Sequence, residues 1–267
     1  VPWLAAAIAS IAYLVAVRKV NGPAPRIPIP AWRTLVWLLG VATILLALSS
    51  SIDLYAGSFL TVHMGQHLLL AMVAPPLLAL GAPVTLLLRA SGADLRKKVL
   101  LPALHSRFVR VIASPFVAWP VFAGTMFATH FSPLYDAALG NAAIHDVEHV
   151  VFLVTGVLFW WPVIAADPIP QRLGYGGRFA YVVLQMPVNA AVGLVIYFAP
   201  TVLYRHYATI TRTWGPPAIT DQQIGGLVMW GAGDLIFLLV VPLIVAAWMR
   251  ADVRRSARRD AVLRAEP

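Results

Sequence analysis

The chain has 267 residues, 60% of them hydrophobic and only 12% charged, with a mean hydropathy of +0.79; a soluble domain cannot hide that much apolar surface, so the bilayer is its natural solvent. It contains no cysteine, which excludes disulfides, zinc ribbons, iron–sulfur clusters and any thiolate ligand, and leaves His, Met and carboxylates for metal work. The net charge of +9 would point to nucleic acid in a soluble protein, but here the basic residues flank apolar runs and set topology instead.

In chain order, seven apolar runs are predicted as helices, over 3–17, 32–52, 58–80, 115–130, 143–165, 178–200 and 222–249. A crossing needs about 20 residues. The opening Val1-Pro2-Trp3-Leu4 has no basic leader and Arg18-Lys19 follow the apolar run, so it reads as a first span rather than a signal peptide. Arg18, Lys19, Arg26 and Arg33 fall in the first connection, Arg89, Arg96, Lys97, Lys98, Arg107 and Arg110 in the third, and Arg172 and Arg178 in the fifth. Arg250, Arg254, Arg255, Arg258, Arg259 and Arg264 fill the tail. Thus 18 of the 20 basic residues lie on one side, and only Arg205 and Arg212 on the other. Positive residues stay in the cytoplasm. The expectation is an all-α integral membrane protein, a single transmembrane domain over 1–267 folded as a seven-transmembrane-helix bundle, with its N-terminus out and its C-terminus in.

Within the third run, Pro75-Pro76 removes two backbone donors and predicts a kink, and Gly81-Ala82-Pro83 predicts a break. The stretch from Leu95 to Arg110 mixes basic and apolar residues and reads either as an amphipathic segment on the anionic cytoplasmic leaflet or as a plain positive-inside loop. Trp160, Trp161, Tyr204, Tyr207 and Trp214 fall near helix ends and suit aromatic belts.

Seven histidines are present, and six map to the extracytoplasmic side. His63/His67 and His145/His149 each have i, i+4 spacing, so each pair projects from one helix face, one turn apart, as a chelating pair would. His67 and His149 come about 13 Å and about 9 Å below their helix starts, so the pairs can meet across a helix interface. His130 joins from the adjacent end of the fourth run. Polar groups at such depth need partners. A metal site and a structural hydrogen-bond network both meet that need. His206 and His105 read as surface residues.

Asp234 lies in an otherwise apolar stretch of the last run. It reads equally as a carboxylate orienting a ligand histidine, as a proton holder, or as a hydrogen-bond partner of a neighbouring helix that Gly231 and Gly233 let approach. Asp146 and Glu148 read as complements to their helix dipole. Met64, Met126, Met186 and Met229 are soft donors within the outer or middle membrane, although Met64 projects about 100° away from His63. Together they tilt a metal reading from zinc towards Cu(I).

The string His63-Met64-Gly65-Gln66-His67-Leu68-Leu69-Leu70, continuing through Ala74-Pro75-Pro76 to Leu80-Gly81-Ala82-Pro83, resembles the multi-span CtaG-type cytochrome c oxidase assembly factors. His145-Asp146-Val147-Glu148-His149 with Phe159-Trp160-Trp161-Pro162, and Asp221-Gln222-Gln223-Ile224-Gly225-Gly226 with Met229-Trp230 and Asp234, extend the resemblance over nearly the whole chain from about residue 30. The resemblance implies a multi-pass protein of the bacterial plasma membrane that serves assembly of a haem–copper oxidase by handling copper. Its partners would be cytochrome c oxidase subunits and a second copper chaperone, with no nucleic acid. On that reading His63, His67, His145 and His149 are the core copper ligands, with His130, Met64 and Asp234 as additions. No feature points to enzymatic turnover.

Two other functions use the same residues. A b-type haem electron-transfer protein would take one histidine from each of two helices as axial ligands, but an i, i+4 pair then leaves one histidine idle on each helix. A copper or proton transporter would continue the polar path inward, and beyond Gln185, Asn189 and Asp234 the inner halves are mostly bare.

Overall fold

The computed structural model describes residues 2–23, 27–169 and 171–265; Arg26 and the side chain of Arg264, two of the basic residues assigned to the cytoplasm, lie outside it. The chain is 82% helix, with no strand among the described residues. Six helices there are long and apolar enough to cross a membrane: Pro2–Val20, Ala31–Ser49, Leu60–Ala90, Ala142–Ile164, Tyr175–Phe198 and Ala218–Asp260. The fourth predicted run is also a helix, Pro115–His130, but its 16 residues span only about 24 Å. Short helices flank it, Arg107–Ile112 before and Leu134–Gly140 after. Counted by apolar run, Leu60–Ala90 is the third helix, Pro115–His130 the fourth, Ala142–Ile164 the fifth and the one from Ala218 the seventh.

Two boundaries depart from expectation. The second helix stops at Ser49, not at 52, because Ser50 takes an extended conformation and its hydroxyl caps Ile52 N–H at 3.1 Å, starting a separate helix, Ser51–Ala56. The seventh begins earlier, at Ala218, and runs on through the basic tail to Ala265. The stretch after Gly92 is helical rather than a plain loop, and its apolar side chains Leu95, Val99 and Phe108 stand exposed beside the basic ones.

The Pro75-Pro76 pair is accommodated by a π turn over Leu69–Val73, where Ala74 N–H bonds back to Leu69 O. Proline at 75 leaves the Ala71 carbonyl without its ordinary α-helical donor. That carbonyl faces Gly156 of the fifth helix so closely that a Cβ there would meet Ala71 O at 2.7 Å and Pro75 Cγ at 2.8 Å. Glycine therefore sets how near the third and fifth helices come, two turns from the histidine pairs. The expected break follows Leu80: Ala82 is left-handed at φ 50°, and the helix restarts at Pro83. Asp167 crosses from the far side of the chain to accept from Val84 and Thr85 N–H at 3.1 and 2.6 Å.

Below the histidines, an aromatic layer fills the bundle. Phe122 stacks on Phe159 at 4.6 Å, Phe159 meets Tyr181 at 4.9 Å, and Trp160 lies 5.7 Å from Phe237. Trp160 is fully buried, as are Tyr204 and Tyr207. These three are core residues, not the interfacial belt their places in sequence suggest. The first helix attaches near one end only, where Tyr13 stacks on Trp37 at 4.6 Å and donates to Gly81 O at 2.8 Å.

Candidate metal centre

The third helix is fixed at its start by a residue far away in sequence. Asp221 accepts from Leu60 N–H at 2.7 Å and Thr61 N–H at 3.1 Å, and Thr61 Oγ1 donates to Asp221 O at 3.0 Å. Two otherwise unpaired helix-start donors are thereby satisfied, and Arg212, 3.1 Å from the same carboxylate, balances its charge. One turn further on, His63 and His67 point into the bundle, both essentially fully buried. The fifth helix starts at Asn141, whose side chain accepts from Ala143 N–H at 2.9 Å. It presents His145, Glu148 and His149 at i, i+3 and i+4. His130, the last residue of the fourth helix, closes the group.

These five histidines converge. Ring centroids lie 4.3 Å apart for His63/His67, 5.1 Å for His63/His145, 4.1 Å for His145/His149, 5.6 Å for His67/His130 and 6.3 Å for His67/His149. The donor atoms of His63, His145 and Glu148 fall within 4.8 Å of one another. A Glu148 oxygen also lies 3.8 Å from His67 Nε2.

Hydrogen bonding fixes two of the tautomers. The Tyr207 hydroxyl donates its one proton to Ala56 O at 2.6 Å, so towards His63 Nδ1, 3.0 Å away, it acts as an acceptor. His63 therefore carries its proton on Nδ1 and turns a bare Nε2 towards His67 Nε2 at 2.8 Å. Burial pushes the Tyr207 phenol well above the usual tyrosine range, so it stays protonated for this task. In the same way His130 Nδ1 donates to Met126 O at 2.8 Å and leaves Nε2 as a lone pair.

The remaining donors are unmet. His67 Nδ1, His130 Nε2, His145 Nε2, His149 Nε2 and both Glu148 oxygens are buried and without a hydrogen-bond partner among the described residues. Phe152 closes over His67 at 4.2 Å and brings no polar group. So many orphaned lone pairs around one buried carboxylate are costly in an apolar surround. They are the arrangement a cation would relieve, and imidazole with carboxylate suits a transition metal.

Two of the anticipated additions stand elsewhere. Met64 is buried but packs towards the seventh helix, where a Cβ on Gly225 would be 3.4 Å from Met64 Cγ; the 100° offset from His63 carries it to that face. Asp234 accepts from Asn189 Nδ2 at 3.1 Å, and the same amide donates to Met229 O at 3.1 Å. The π turn over Val228–Ala232 presents that carbonyl, and Gly233 admits Asn189 so closely that a Cβ would meet Nδ2 at 2.6 Å. Asp234 thus joins two helices and is not in the histidine group. Met126 supplies its carbonyl to His130 Nδ1. His206 Nε2 is engaged with Gly57 O at 2.8 Å, and exposed His105 with Leu101 O at 2.7 Å.

Sequence reasoning missed three members. Glu148 reads as a dipole complement from its place near the helix start, yet it is 7% exposed and turned inward; its spacing of three from His145 was the available signal. Tyr135 and Tyr207 carried none. Tyr135, from the short helix Leu134–Gly140, lies 5.1 Å from the His63 ring and stacks on Tyr204 at 4.1 Å. Asp136 beside it accepts from His206 N–H at 3.2 Å, tying the connection after the fourth helix to the one that follows Phe198.

The family described as cytochrome c oxidase caa3 assembly factor (Caa3_CtaG) matches residues 11–251. An uncharacterized protein of Mycobacterium bovis and one of Mycobacterium tuberculosis are each 33% identical over 238 residues, and one of Mycobacterium leprae is 30% identical over the same length. Each alignment covers 86% of this chain but 36% of the relative, so the chain spans about a third of the length of the curated relatives it matches. No solved structure matches it.

Proposed function

Because this chain belongs to the cytochrome c oxidase caa3 assembly factor family, we propose that it takes up copper as cargo in the group formed by His63, His67, His130, His145, His149 and Glu148 and passes it to a haem–copper oxidase. The reading includes seven spans with the N-terminus out, which puts the group at the extracytoplasmic side of a bacterial plasma membrane. Oxidase subunits are the recipients and a second copper chaperone the supplier.

The observation that carries this reading is the convergence of five histidines from three helices on one buried carboxylate, with four ring nitrogens unmet. With the Met64 thioether turned to the seventh helix, imidazole and carboxylate take copper in either oxidation state. Cu(I) then rests on the family's role in assembly. A structural network is the poorer account, since a network satisfies its members. A haem is disfavoured by crowding: the His63 ring has His67 at 4.3 Å and Tyr135 and His145 each at 5.1 Å, which leaves no room for a macrocycle between it and a histidine of the fifth helix.

The test is copper content. Wild-type protein loaded with Cu(I) under reducing conditions should retain stoichiometric metal, and a His63→Ala/His149→Ala variant should lose it. Equal, low copper in both would return the histidines to a scaffold role.

A further inference from the structure

We propose that a cleft between the first, second, third and fifth helices is a binding site for one acyl chain of a bilayer phospholipid. The cleft holds about 440 Å³. Ala5, Ala6 and Ala9 of the first helix face Leu70 of the third and Leu153 of the fifth across it. It runs from Pro2, Leu48 and Asp146 at one end to Trp37 and Leu78 at the other. Among the described residues, Asp146 and His149 are its only ionisable lining residues, both at the first end.

The cleft exists because the first helix is fastened near one end alone. Tyr13 stacks on Trp37 and donates to Gly81 O, while three alanines on the other half are too short to reach the bundle. Size and lining decide the occupant. A helix is about 10 Å across and rises 5.4 Å per turn, so this volume takes about one turn of a partner helix and no span of one. Water does not stay in an apolar cavity. A lipid tail is as apolar as the leucines lining the wall, is slender, and surrounds any helix in a bilayer. The lining grades from ionisable at the mouth to apolar within, as an amphiphile requires. A chain seated there covers the flank of His149 that faces away from the other histidines and separates that ring from the bilayer.

Native mass spectrometry of protein extracted in mild detergent, counting retained phospholipid, tests the site. Wild type should hold one phospholipid more than Ala6→Trp, which fills the cleft. Ala9→Leu, a smaller filling that spares the fold, should lower the occupancy of that lipid. Ala7→Trp, on a residue exposed on the first helix and outside the cleft lining, should leave the count as in wild type. Equal retention in wild type, Ala6→Trp and Ala9→Leu would overturn the site, as would wild type that holds no phospholipid.

Discussion

His63 Nε2 and His67 Nε2 lie 2.8 Å apart, one helical turn from each other on the same face. Because Tyr207 holds the His63 proton on Nδ1, the His63 nitrogen of this pair is a lone pair. Without metal, His67 answers with an N–H. On the copper reading both nitrogens would turn to the same ion, and His67 would then carry its proton on Nδ1. On that reading the pair would thus have two settings, one with the ion and one without.

The Tyr207 hydroxyl is expected to matter for metal affinity more than for folding. Tyr207→Phe keeps the ring and removes the acceptor, freeing the His63 tautomer. Copper affinity should fall roughly 10- to 100-fold, as for other residues that orient a ligand from behind. Chelator competition measures it, and an unchanged melting temperature separates the effect from misfolding.

Glu148→Gln keeps volume and removes the one negative charge of the group. Copper should bind more weakly than in wild type, and the loss should exceed that in Asp146→Asn, on the same helix and exposed. Equal losses in the two variants would mean that Glu148 acts only through general surface charge.

Gly156→Val places a side chain where Ala71 O and Pro75 Cγ already stand. Overpacking of this kind costs about 1–3 kcal/mol, and it also pushes the third and fifth helices apart. The melting temperature should drop, and copper retention should drop with it, because the two histidine pairs ride on those helices.

Asn189→Ala removes the amide that reaches from Tyr175–Phe198 to both Asp234 and Met229 O of the seventh helix. About 1–3 kcal/mol of stability should be lost as Asp234 and a buried carbonyl go unmet, while copper stoichiometry should stay at the wild-type value. Loss of copper here would bring Asp234 back into the metal site.

The helices and both histidine pairs were legible because their signals are local: an apolar run, a basic flank, an i, i+4 spacing. His130 followed from topology alone. Glu148 was half legible, since its spacing to His145 was in view but its place near a helix start offered a simpler reading. Tyr207 and Asp221 act across 144 and 161 residues, and periodicity holds no trace of contacts at such separations. Pro75-Pro76 announced a distortion. That it would be absorbed in a π turn against Gly156 depends on the neighbouring helix, which the third run's own residues do not describe.

Asp221 also bears on the order in which the molecule is made. The third helix is synthesised about 160 residues before the aspartate that takes up its first two N–H groups, and Tyr207 likewise leaves the ribosome long after His63. Until the last quarter of the chain is in place, the early histidines have neither a fixed helix start nor a set proton. Their geometry is completed only when the seventh helix docks, so a chain stopped before it carries the same histidines without the grip. On the copper reading, capacity for cargo would in this sense be a late property of biosynthesis, arriving only once Tyr207 and Asp221 are in place.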